Sequence, residues 1–239
     1  MVLAGQYLER SVVVDGLDAL YHRGTRDPAC VIASPHPAMG GSMTSPVIAE
    51  LAWALTRGGH PTLRFDYRGV ASSRGVSRQK PGRIEDVSDE VDDLYKVADQ
   101  LIATTHEPAI CAVGYSFGAL VALRAASDPR ISQLVLVAPP NLLADFSALA
   151  SFAKPLFILC AQHDAYCDRA ALPGAPEVIA HSDHFFHRGL TEMGKAVAEF
   201  LRAGRPPLVA QPDEPSAEEH RELELPEGEE DLELDLDRK

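Results

Sequence analysis

Cysteine is scarce, with four in 239 residues. That is too few for a disulfide framework. No two are spaced Cys-x-x-Cys, so a zinc or thioredoxin-like site lacks its usual ligands. Cys30, Cys111 and Cys160 sit inside apolar runs, where thiols act as small buried hydrophobes. Cys167 lies in a polar stretch and is expected nearer the surface. Long apolar runs are missing as well: none reaches the ~20 residues that span a bilayer. The first ten residues lack the basic segment and long apolar stretch of a signal peptide. A cytoplasmic chain with no membrane association is the expectation. Positive charge is the third deficit, with 22 Lys and Arg against 35 Asp and Glu and a net charge of −13. Nucleic acids and anionic membranes recruit clustered cations, so neither is an expected partner. The 46% apolar content still suffices for one sizeable core.

The acidity is local. From Pro206 onward the chain carries 13 of the 35 acidic and 3 of the 22 basic residues, which leaves 22 acids and 19 bases on the remainder. Pro206, Pro207, Pro212, Pro215 and Pro226 accompany those acids, and such composition cannot bury enough apolar surface to order itself. The chain therefore divides into a globular domain over 1–204 and a disordered acidic tail over 205–239. Residues 231–237 alternate acid with leucine. They read either as a solvating tail or as a strip that adds to the sheet edge of a protein partner.

Within 1–204 the pattern is strand, loop, helix, repeated. Ser11–Val14 and Leu17–His22 flank Asp15-Gly16, a hairpin signal, and form an antiparallel edge. Strands follow over Cys30–Ser34, Thr62–Tyr67, Ala109–Tyr115, Leu134–Ala138, Leu156–Ala161 and Glu177–Ala180. Helices are expected over Val47–Thr56, Ile84–Leu101, Phe117–Ala126 and Leu190–Arg202. In the second of these, Asp86, Asp89, Glu90, Asp92 and Asp93 are assigned to the outer face and the early turns, which suits the helix dipole. Short apolar runs alternating with helices predict an α/β fold, a mostly parallel central sheet flanked by helices. Ligands in such sheets bind at the carboxyl ends of the strands.

At one such end stands Gly114-Tyr115-Ser116-Phe117-Gly118. Gly and Ser are each roughly 7% of residues, so the bare Gly-x-Ser-x-Gly pattern arises by chance in about one chain of this length in twelve. A strand before it and a helix after it make it specific. The turn holds Ser116 in a strained backbone with Oγ clear of the sheet. The Phe117 N–H then points from a helix N-terminus at a developing oxyanion.

With this motif, His36-Pro37-Ala38-Met39-Gly40-Gly41 and Arg64-Phe65-Asp66-Tyr67-Arg68-Gly69-Val70, the chain resembles the α/β-hydrolase superfamily. The resemblance runs to about residue 203. It is strongest to small prokaryotic serine hydrolases with little or no lid. Their His-Pro-His-Pro segment departs here at Ser34, which is expected to alter the polarity of the site, and Ala71 stands where a glycine is usual. The resemblance implies an α/β-hydrolase fold without a sizeable cap, and the chain order Ser, acid, His. Asp164, just after Phe157–Ala161, takes the acid position, with Asp168 as alternative. Among His181, His184 and His187, His184 takes the base position, since Asp183-His184-Phe185-Phe186 resembles the pattern around the catalytic His. The second oxyanion donor comes from the loop after Cys30–Ser34. Pro35 and Pro37 lack an N–H. Alignment with the superfamily then points to the His36 amide, with Ala38 as alternative.

Larger relatives insert a cap where Asn141–Lys154 stands here, a segment with room for at most one helix. An open, shallow, partly apolar site follows, with Tyr115, Phe146, Tyr166 and Phe185 as expected lining. Nothing in the sequence calls for a metal or cofactor. Gly40-Gly41 lacks the Gly-Lys-Ser/Thr that a phosphate cradle needs. The reading is a serine hydrolase of small carboxylic esters or thioesters working through Ser116, His184 and Asp164. The competing reading is a catalytically silent binding or scaffold protein that keeps the fold and docks partners through its acidic tail.

Overall fold

A computed structural model of the chain describes residues 9–204. The tail and its Leu–acid strip lie outside the described residues. Eight strands form one sheet: β1 (Arg10–Val14), β2 (Leu17–His22), β3 (Cys30–Ala33), β4 (Thr62–Phe65), β5 (Ile110–Tyr115), β6 (Ile131–Val137), β7 (Leu156–Ala161) and β8 (Glu177–Ile179). Their order across the sheet is β1-β2-β4-β3-β5-β6-β7-β8. The β1–β2 and β2–β4 pairs are antiparallel, and all the others are parallel. This is the α/β-hydrolase fold with its N-terminal hairpin at one edge.

Four helices cover the sheet: α1 (Pro46–Arg57), α2 (Ser88–Thr105), α3 (Phe117–Ala125) and α4 (Leu190–Ala203). Alternate strand residues feed opposite cores, as the pleat requires. Ala112, Leu134 and Leu136 pack with α2 and α3. Cys111, Val113, Val135 and Val137 pack with α1 and α4. Two buried faces are why the central strands read as unbroken apolar runs rather than alternating ones.

The expected elements are all present, with shifted ends. α2 begins four residues later than its periodicity suggests. The Gln79 side chain accepts from Glu85 N–H and donates to Asp86 C=O, holding that stretch as loop. The helix also runs on past Leu101, where the Thr104 and Thr105 hydroxyls donate to carbonyls one turn back. Not all of its acids face solvent: Glu90 and Asp93 are buried. Asp93 is turned inward by Arg68, whose guanidinium it accepts at 2.7 Å while also taking the Arg68 N–H at 3.0 Å. Cys167 is buried too, its Sγ 3.3 Å from that of Cys160. Residues 141–154 hold one 3-10 turn, Ser147–Ser151, and no cap domain.

Candidate active site

Ser116 sits between β5 and α3 with φ 54° and ψ −120°, a region that costs a non-glycine residue about 1–3 kcal/mol. Close packing around it holds the turn. A Cβ on Gly114 would lie 2.1 Å from Gly118 C=O, and one on Gly118 would lie 2.2 Å from Ala33 C=O. Only glycine lets β5, α3 and the end of β3 approach this closely. The Ser116 N–H donates to Val137 C=O of β6 at 2.9 Å.

The loops after β7 and β8 bring two more groups to this turn. His184 Nε2 is 2.9 Å from Ser116 Oγ. His184 Nδ1 lies 2.8 and 2.9 Å from the two Asp164 oxygens. With the carboxylate accepting from Nδ1–H, Nε2 is left as acceptor for the serine proton. Both side chains are almost wholly shielded, at 8% and 1% exposure. Tyr115 Oη–H donates to His184 C=O at 3.0 Å and pins its backbone. Burial, and then the nearby Asp164 and Asp183 charges, push the Tyr115 phenol up, so it stays a donor. Tyr166 stands edge-on to the His184 ring at 4.8 Å, and Phe185 does so at 5.4 Å. Asp168 lies elsewhere: its carboxylate accepts Ala170 N–H at the start of a 3-10 turn. His181 is exposed. His187 is paired with Asp183 at 2.7 Å, which holds that carboxyl below its ordinary range.

Opposite lies the loop after β3. His36 C=O accepts both Met39 N–H and Gly41 N–H at 3.0 Å, closing a tight turn. A Cβ on Gly41 would stand 2.4 Å from Pro35 C=O. Among the described residues, neither the Phe117 N–H nor the His36 N–H is taken by a protein acceptor. The His36 ring meets Phe117 edge-on at 4.9 Å, and its Nε2–H donates to Arg83 C=O at 2.9 Å. The Ser34 hydroxyl does not enter the site as expected. It is buried and donates to Phe65 C=O at 2.7 Å, tying β3 to β4.

The sequence reading assigned no role to two residues that hold this loop. Asp66 accepts Met43 N–H at 2.6 Å, and Arg64 donates to Met43 C=O at 2.9 Å, so the two peptides flanking Met43 are both gripped. Arg64 also donates twice to Glu9, at 3.0 and 2.6 Å. Burial pushes the Asp66 carboxyl up, and the Met43 N–H offsets part of that. Their signal was the Arg64–Val70 segment. It is conspicuous in the sequence, yet some twenty residues separate it from the loop it serves.

Between these halves runs a cleft of about 880 Å³. Tyr115, Tyr166 and Phe185 line it, together with His36, Ser116, Phe117 and His184. Phe146 does not. It precedes the 3-10 turn and folds into the core with Leu149, because one short turn cannot present a helical face to the cleft. Leu143 takes a place in the wall instead. The stretch 82–84 forms a further wall that was not foreseen. Among the described residues, no three His, Cys, Asp or Glu side chains are grouped to hold a metal ion, and no helix is long and apolar enough to cross a membrane.

A family model described as serine aminopeptidase, S33, matches residues 37–145. The chain is 26% identical over 192 residues to an uncharacterized protein of Rickettsia prowazekii, a match covering 73% of this chain and 78% of the relative. It is similar in structure to an α/β serine hydrolase homologue from Coxiella burnetii, with 27% identity, a TM-score of 0.69, and coverage of 84% of this chain and 99% of that one. A lidless α/β serine hydrolase from Xanthomonas campestris is similar to the same degree, with 28% identity, a TM-score of 0.68, and coverage of 85% and 97%.

Proposed function

The chain is a lid-poor member of the α/β-hydrolase superfamily, and on that footing we propose that it is a serine hydrolase cleaving carboxylic esters or thioesters through an acyl-enzyme. The observation that carries this reading is the unbroken chain from Asp164 through His184 to Ser116, with links of 2.8 and 2.9 Å, ending at a serine on a strained turn.

His184 Nε2 removes the Ser116 proton as Oγ attacks the acyl carbon. The carbonyl oxygen gathers negative charge and is met by the Phe117 and His36 N–H groups. Donors of this kind are held in place before the reaction and cost no reorganisation during it. The second place goes to the His36 N–H, which no protein acceptor takes among the described residues, with the Ala38 N–H as the alternative. Asp164 keeps the imidazole in the productive tautomer and stabilises its cationic form. The proton then passes from Nε2 to the leaving oxygen or sulfur, and the acyl group stays on Ser116. A water deprotonated by His184 repeats the sequence and releases the acid.

The test is labelling with a fluorophosphonate probe, alongside hydrolysis of p-nitrophenyl acetate. A single adduct on Ser116, with both signals lost in Ser116→Ala, is expected. Absence of adduct and turnover in the folded wild type favours the silent scaffold.

A further inference from the structure

We infer that the cleft is built for wholly apolar esters, with the acyl chain along the Met39–Ile84 wall and an aromatic or bulky apolar leaving group beside Tyr166 and Phe185. The inference rests on the serine-hydrolase reading above and deepens it.

The first support is the surface. Among the described residues eight large apolar side chains are exposed, and four of them, Met39, Leu143, Tyr166 and Phe185, line this one cleft. Scattered exposed apolar residues are ordinary, but a cluster around a concave site marks a binding surface. The second is charge. Among the described residues, the lining holds no Asp or Glu. Its Arg83 is engaged by Glu85 at 2.6 Å and its His187 by Asp183 at 2.7 Å. Among the described residues no lining carboxylate awaits a substrate's amino group, and Arg83 and His187 each already carry a carboxylate partner. A peptide's free N-terminus finds no carboxylate among the described lining residues. The third is volume: about 880 Å³ lies within the ~300–1,000 Å³ of clefts that enclose drug-sized ligands, far beyond what an acetyl group fills.

The direction follows from the proton. A general acid must lie within hydrogen-bond reach of the atom it protonates, so the leaving group sits against His184. Three rings pack on His184, those of Tyr115, Tyr166 and Phe185, and of these Tyr115 is buried while Tyr166 and Phe185 are exposed at the cleft. The acyl chain then leaves Ser116 on the other side, past the oxyanion loop. Met39 stands there, and its Sδ accepts Gly82 N–H at 3.3 Å, joining the loop to the 82–84 wall.

Two ester series on the full chain test this, read as kcat/KM so that acylation is compared. p-Nitrophenyl acetate, butyrate and octanoate vary the acyl chain. Methyl and benzyl octanoate, whose alcohols are of similar acidity, vary the leaving group. A fully buried methylene is worth up to about four-fold, so even partial burial gives the octanoate about ten-fold or more over the acetate. The benzyl ester gains several-fold over the methyl ester. Met39→Ala lowers the octanoate-to-acetate ratio, and Tyr166→Ala lowers the benzyl-to-methyl ratio. A flat or falling acyl series overturns the inference, as does a crossed pattern in which Tyr166→Ala alone erases the chain-length preference. Such results leave the hydrolase reading standing as long as the acetate is turned over and Ser116 is labelled. Loss of both of those signals removes the reading itself.

Discussion

The two halves of the cleft secure their chemistry in different ways. On the β7–β8 side the proposed working groups are side chains that touch one another directly: Asp164 holds His184, and His184 holds Ser116. On the β3–β4 side the proposed working group is a backbone amide, that of His36, which no side-chain contact aims directly. It is positioned at one remove, by Arg64 and Asp66 gripping Met43 and by the His36 carbonyl closing its own turn. A contact chain fails at any broken link. A braced loop loses alignment by degrees. The two halves should therefore respond to mutation with different size and form.

The largest effect is expected on the first half. Asp164→Asn leaves the shape of the loop in place but offers Nδ1 the wrong partner, so kcat should fall about 10⁴-fold with little change in melting temperature. Steady-state kinetics beside a thermal scan reads both. A loss below ten-fold would move the acid role away from Asp164.

A smaller effect is expected from the brace. Asp66→Ala frees the Met43 N–H and lets the oxyanion loop shift. The expected outcome is a fall in kcat of about 10²-fold, the scale of one lost oxyanion donor, with KM almost unchanged. Asp66→Asn keeps an oxygen for that N–H and should recover most of the loss. If alanine and asparagine behave alike in kcat, Asp66 is only a fold residue and the contrast between the halves weakens.

The smallest effect is expected at Glu90, which is buried with its Oε2 accepting from Gln79 at 3.1 Å and, among the described residues, its Oε1 without a partner. Burial holds this carboxyl above the ordinary glutamate range. The folded chain thus binds the proton more tightly than the unfolded chain. The group favours folding below the unfolded value of ~4.3, and that contribution is lost as pH rises through the higher folded value. Glu90→Gln removes the titration. It should stabilise the fold at pH 7 by about 1 kcal/mol, the scale of one buried unsatisfied group, with the gain vanishing below pH 4. Urea midpoints at the two pH values measure it, and an equal gain at both excludes the charge as the cause.

The same contrast separates what was readable along the chain from what was not. The strands, the helices and the Ser116 turn were legible because their causes are local: apolar period, a strand running into a helix, and glycines flanking a serine. The proposed acid and base could be named from chain order and position after a strand, and Asp164 and His184 do lie in contact. The brace was visible only as a motif without a task, since its partner Met43 lies 21 and 23 residues before it. Phe146 was misassigned because its apolar spacing fits a helix, whereas the segment makes a single 3-10 turn that buries it. Glu90 and Asp93 were assigned to the outer face because charge on a helix usually faces water. The residues that turn them inward, Gln79 and Arg68, come from the preceding loop.

By itself the sequence determined the order of the elements, the apolar faces and the serine at the end of β5, because each depends on neighbours within a few residues. The tertiary structure alone decided that a cleft of about 880 Å³ opens between two loops, and that Arg64 and Asp66 hold one of them. It also decided that the exposed apolar side chains gather around that cleft. These depend on which distant segments the sheet brings side by side, and no periodicity along the chain encodes that.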